Sequence, residues 1–150
     1  LAVGLQGTVV LQYDRQYGAE TPLVSELGVF ANDQIIQKWR HRLTLDWDSG
    51  PYGATLGNSY SSDYQDQNLA YDQNTNALLP ARRVQAYSLW DLTGSWKVNK
   101  ALRLRGGVMN VLNTPPPFSN QSYHWLATYD PTYTDPRGRT AFVSLSYAFK

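Results

Sequence analysis

Residues 143–150 read VSLSYAFK. Successive side chains of an extended strand point to opposite faces, so Val143, Leu145, Tyr147 and Phe149 share one face and Ser144, Ser146 and Ala148 the other. One face is apolar and the other small and polar, as in a strand covered on one side only. What matters for the fold is whether this alternation is local or repeated.

It is repeated along the whole chain. A first segment, from about residue 3 to 14, sets Val3, Leu5, Gly7, Val9, Leu11 and Tyr13 against Gly4, Gln6, Thr8, Val10, Gln12 and Asp14. A second, from about Trp39 to Asp48, sets Leu43, Leu45 and Trp47 against Arg40, Arg42, Thr44, Asp46 and Asp48. The third, from about Tyr52 to Asp63, opposes Tyr52, Ala54, Leu56 and Tyr60 to Thr55, Gly57, Ser59 and Ser61. In the fourth, from about Val84 to Val98, Trp90, Leu92, Trp96 and Val98 oppose Asp91, Thr93, Ser95 and Lys97. The fifth, from about Ala101 to Asn113, places Leu102, Leu104, Val108 and Leu112 opposite Arg103, Arg105 and Gly107. The closing stretch from about Gly138 is the sixth. No helical period of comparable length competes with these period-two segments.

The connections alternate as well. DSGP joins the second and third segments and NKA the fourth and fifth, both of hairpin length and rich in turn formers. The other three links are long, spanning roughly residues 15 to 38, 64 to 83 and 114 to 137. In an up-and-down meander this puts the short turns on one edge and every long loop on the other.

Composition narrows the class. The 150 residues include Tyr 11, Trp 5 and Phe 4, yet mean hydropathy is -0.46 and charged residues make up only 17%. No apolar run reaches the roughly 18 residues that a membrane helix needs. Strands of a membrane barrel alternate and look polar on average, so a barrel is compatible with these totals. A net charge of +1 gives no electrostatic case for nucleic acid. The absence of cysteine removes disulfides and thiolate metal sites.

Together these features predict an all-β, transmembrane, antiparallel up-and-down β-barrel. Trp47, Tyr52, Trp96, Tyr147 and Phe149 cluster near the short-turn edge, as a membrane aromatic girdle does. The alternative is a soluble antiparallel β-sandwich, such as a carbohydrate-binding module, whose strands also alternate. Three loops above the usual length range on one edge favour the barrel. Six strands fall short of the roughly eight that close a barrel, and open edges in hydrocarbon leave backbone groups unpaired at several kcal/mol each. The first and sixth strands therefore need partners, and the chain is expected to be the later part of a larger barrel.

RLRGGVMNVLNTPPPF (103–118) and YDPTYTDPRGRTAFVSLSYAF (129–149) resemble the C-terminal end of TonB-dependent outer-membrane receptors. Asn110, Val111, Leu112, Asn113, Pro115 and Pro116 match that family's strand-ending motif. Tyr129, Asp130, Gly138, Arg139, Tyr147 and Phe149 match its approach to the final strand. Upstream, Trp39, Arg40, Leu45, Asp46, Trp47, Tyr60, Tyr64, Asp66, Asp91, Leu92 and Trp96 fit the preceding strands, so the likeness covers nearly the whole chain. The resemblance implies that these are the last six strands of a barrel of about 22, in the outer membrane of a Gram-negative bacterium. It also implies a plug domain and earlier strands outside this chain. The implied function is active import of a scarce, bulky nutrient such as an iron-siderophore, powered by TonB and its inner-membrane energising complex. A passive porin-like or adhesin barrel is the alternative within the membrane.

No catalytic constellation is legible. His41 and His124 lie on different elements, no G-x-S-x-G elbow occurs, and no metal or cofactor is expected. Recognition by the long loops is better supported, because rigid amphipathic rings beside adaptable polar groups suit binding surfaces. The loop positions expected to meet a ligand are Tyr64, Asp66, Tyr71, Tyr123, His124, Trp125 and Tyr129. Arg40, Arg42, Asp46, Asp91, Arg103 and Arg105 are expected to face the lumen and the plug, and the apolar faces to meet outer-membrane lipid.

Overall fold

A computed structural model describes residues 1–31, 34–67, 73–77, 79–124 and 127–149. Six long strands carry the six alternating segments: β1 Ala2–Val9, β2 Trp39–Ser49, β3 Tyr52–Ser61, β4 Tyr87–Lys97, β5 Leu102–Met109 and β6 Thr140–Tyr147. They pair in chain order in one sheet, every neighbouring pair antiparallel. The expected meander is therefore present. No helix among the described residues is long and apolar enough to cross a membrane, a fact that leaves crossing by strands open.

Register keeps each face uniform across the sheet. Leu45 lies between Val3 and Leu56, Leu56 faces Leu92, and Leu92 faces Val108. Leu104 lies between Trp96 and Leu145, on the same side. A slip of one residue at any of these pairs would turn a whole strand's apolar set to the opposite face. This apolar face lacks a protein cover: Val3, Leu5, Val143 and Leu145 are 67%, 66%, 86% and 64% exposed. Trp47, Tyr52, Trp96 and Tyr147 stand at its short-turn edge, with the Tyr52 and Trp96 rings 6.2 Å apart and those of Tyr147 and Phe149 4.9 Å apart.

The same face carries one polar exception, at the long-loop end. Trp39 Nε1 donates to His41 Nδ1 at 2.8 Å, and His41 Nε2 meets Asn58 Oδ1 at 3.2 Å. Asn58 Nδ2 donates in turn to Ser88 Oγ at 2.9 Å and to the Leu89 carbonyl at 3.0 Å. Since Nδ1 accepts from the indole, Nε2 carries the imidazole proton. The chain of bonds satisfies each polar group without water, which permits it on an apolar face.

Three strand ends differ from the sequence expectation, each for a local reason. β1 stops at Val9 rather than running to Asp14, because Asp14–Arg15 pairs with Val24–Ser25 in the loop. β4 starts at Tyr87 rather than Val84, because Arg83–Val84 pairs back onto Tyr64–Gln65. β5 ends at Met109 rather than Asn113, because Asn110 takes a left-handed conformation at φ 50, which no strand continues through.

The long loops form a crown with a core of its own. Phe30, Tyr64 and Val84 are 4%, 0% and 0% exposed, and Ile35 and Tyr133 pack against them. Backbone bonds hold it together: Gln65 N donates to the Gly28 carbonyl at 2.8 Å, joining the second long loop to the first, and Asp66 N donates to the Arg82 carbonyl at 2.8 Å, closing the second loop on itself.

Candidate functional site: lumen wall and loop crown

Arg40, Arg42, Asp46, Asp91, Arg103 and Arg105 occupy the polar face of the sheet, as their register parity requires. Two of them meet. Arg42 Nη1 donates to Asp91 Oδ2 at 2.9 Å and to Ser59 Oγ at 2.6 Å. The guanidinium reaches across β3 because residue 57 is glycine: a Cβ there would lie 2.5 Å from Arg42 Nη2. Asp91 is 6% exposed, and its second oxygen accepts the Asn110 N–H at 2.9 Å. This carboxylate thus holds β2, β4 and the turn after β5 together. Charge-assisted bonds of this kind are roughly twice as strong as neutral ones.

The turn that follows explains why its motif has this composition. Asn110 Oδ1 accepts the Thr114 N–H at 2.8 Å while its Nδ2 donates to the Thr114 carbonyl at 2.9 Å. Asn113, also left-handed at φ 54, accepts the Arg139 N–H at 2.9 Å where β6 begins. Gly138 has φ +69, and a Cβ on it would sit 3.0 Å from that same Asn113 oxygen. The two asparagines and Gly138 therefore form a latch that sets where the last strand starts. The motif is legible in the sequence, but the latch is not, because it joins residues 26 positions apart.

Asp46 accepts from Thr55 Oγ1 at 2.5 Å. Beside Arg42 and Asp91, a cavity of about 260 Å³ opens between Met109, Asn110, Asp135 and Arg137 at the foot of the crown. Arg137 forks onto Asp135 and holds its carboxyl below the ordinary value, through hydrogen bonds to the guanidinium and the backbone.

The crown redistributes the loop residues expected to meet a ligand. Tyr64 and Asp66 are corrected to the loop core: they are 0% and 2% exposed and present no surface to a ligand. Asp66 instead accepts from Ser119 Oγ at 2.7 Å, Asn120 N at 2.8 Å and Gln67 N at 2.9 Å, tying the second long loop to the third. Burial pushes the Tyr64 and Tyr133 phenols above their ordinary range, so both remain neutral. Tyr123 and His124 are exposed, with the Tyr123 ring 6.1 Å from Phe30. Tyr129 is half-buried, its carbonyl reached by Gln121 Nε2 at 3.2 Å. Tyr71 and Trp125 lie outside the described residues. Sequence pattern alone could not separate Tyr64 from Tyr123, since both are loop tyrosines.

Comparison with known proteins gives the architecture a family. The model of the TonB-dependent receptor-like β-barrel family matches residues 7–111. Among solved structures, a mutant ferric enterobactin receptor of Pseudomonas aeruginosa aligns over 98% of this chain and 20% of its own, at TM-score 0.62 and 18% identity. A second mutant of that receptor, in complex with enterobactin, aligns over 75% of this chain and 17% of its own, at TM-score 0.54 and 20% identity. The chain thus spans about a fifth of the length of the receptors it resembles. No match exists among curated proteins.

Proposed function

Since the chain belongs to the TonB-dependent receptor-like β-barrel family and is an outer-membrane protein, we propose that it is the wall of an active importer for a scarce, bulky nutrient, foremost a ferric siderophore. The observation that carries this proposal is the extension of the likeness over nearly the whole chain to receptors named for ferric enterobactin. In this proposal β1–β6 are the last six strands of a barrel of about 22. A plug domain fills the lumen, and TonB with its inner-membrane complex supplies the energy to move it.

Within that frame the chain's residues divide the work. The apolar face, from Val3 to Leu145, meets lipid. Arg40, Arg42, Asp46, Asp91, Arg103 and Arg105 face the plug; Tyr123, His124 and Tyr129 in the crown serve as ligand contacts, and Tyr71 and Trp125 are proposed for the same role from their sequence positions. Uptake of radiolabelled ferric siderophore by iron-starved cells carrying or lacking the complete gene tests the proposal. Uptake that requires both the gene and TonB is the expected result. Uptake that persists without TonB identifies a passive pore, and no effect on any ferric siderophore removes the substrate class.

A further inference from the structure

The short-turn end of the polar face carries an imbalance that the sheet does not resolve. Lys97 lies directly opposite Arg103 in the β4–β5 register, and Arg105 sits two residues along the same face, opposite Ser95. Like charges directly opposite on a sheet are destabilising. None of the three forms an ion pair among the described residues, whereas Arg42 and Arg137 do. One acid shares this space: Asp48 lies in the same row as Arg105, through Gly53 and Ser95, and a Cβ on Gly53 would stand 2.8 Å from Asp48 Oδ1 and 2.9 Å from Ser95 Oγ, so a single carboxylate faces three cations and forms an ion pair with none of them among the described residues. The Arg105 guanidinium lies over the Phe142 ring, its carbon 5.9 Å from the ring centre. Together with Asp48 the three cations border an open cavity of about 360 Å³ that also exposes Thr55, Thr93 and Ser95, and the cavity keeps an excess of positive charge. All three residues are exposed in this chain, and whatever covers them must supply acids, because a charge enclosed without a partner is costly.

We propose that Lys97, Arg103 and Arg105 form a seat for an acidic peptide segment lying in the lumen at the short-turn end. The inference rests on the receptor assignment above, in which a plug occupies that space, and it specifies the plug's chemistry there: a pair or more of Asp or Glu side chains. A peptide fits the seat better than a small anion. The three cations lie along two adjacent strands rather than converging on one point, and hydroxyls beside them suit backbone groups.

Zero-length coupling with a carbodiimide in the complete receptor, in native outer membranes, tests this. The reagent joins an amine to a carboxylate only where the two touch. Lys97 is expected to couple to an Asp or Glu of the plug, identified by peptide mass spectrometry, at several times the yield of turn residue Lys100. Arg103→Lys moves a second amine into the seat and should add a cross-link to the same segment. Coupling confined to Asp46 or Asp48, or none at Lys97 while Lys100 reacts, overturns the proposal. Protection of Lys97 by inorganic phosphate without any peptide cross-link assigns the seat to a small anion and overturns it equally. A receptor that carries a plug and imports siderophore yet shows either outcome retains its function and loses only this inference.

Discussion

In the wall, Val143 and Leu145 are 86% and 64% exposed; in the crown, Tyr64 and Val84 are 0%. The well-buried apolar side chains of this chain therefore lie mainly in its loops, and its regular sheet leaves apolar side chains outside. The difference is one of solvent. In the proposed barrel the wall faces lipid, where an apolar side chain is at home and only an unpaired backbone group is costly. The crown faces water, so it must bury its own rings, as any small aqueous domain does. Loops above the usual length range are what make that second core possible.

If the crown has a separate core, Phe30→Ala should cost about 3–5 kcal/mol of loop stability and leave the wall untouched. Hydrogen exchange in lipid nanodiscs would show faster exchange at Gln65 and Asp66 with unchanged protection in β3 and β4. Equal loss in both regions would mean that they fold as one unit. The wall's dependence on lipid is tested by Leu92→Arg, expected to cost about 2–4 kcal/mol near the bilayer midplane. Ser144→Arg, on the lumen face, should be far milder in the same denaturant titration. Similar effects at the two positions would erase the distinction between the faces.

The join between wall and crown is sharpened by two further changes. Asp91→Ala releases both Arg42 and the Asn110 N–H, an expected loss of about 1.5–3 kcal/mol for bonds to a charged group. Gly138→Ala forces a side chain into left-handed backbone against Asn113, at about 1–2 kcal/mol, and should fray the start of β6. Both are read from chemical denaturation.

Alkaline pH is expected to act on the crown alone. Because burial raises the Tyr64 and Tyr133 phenols above the ordinary tyrosine value of about 10, the folded crown holds protons that the opened crown releases. Their contribution is complete below pH 10 and is lost as pH rises beyond it. Phenolate absorbance should show Tyr64 and Tyr133 ionising only as the crown opens. Their ionisation at the ordinary tyrosine value of about 10 would mean that the core is open in solution.

The sequence by itself determined the six strands, their order and which face of each is apolar. A period of two is a local property, and alternating short and long links leave a meander as the simplest path. It also determined that Arg42, Asp91 and Arg103 share the polar face, since each stands opposite the apolar set of its own strand. Only the tertiary structure decided that Asp91 is the acid Arg42 reaches across Gly57, that Asn113 meets Arg139, and that Tyr64 and Asp66 lie inside the crown while Tyr123 stays out. Those outcomes depend on contacts between residues 26 to 53 positions apart, and loop conformation carries no period from which such contacts can be read.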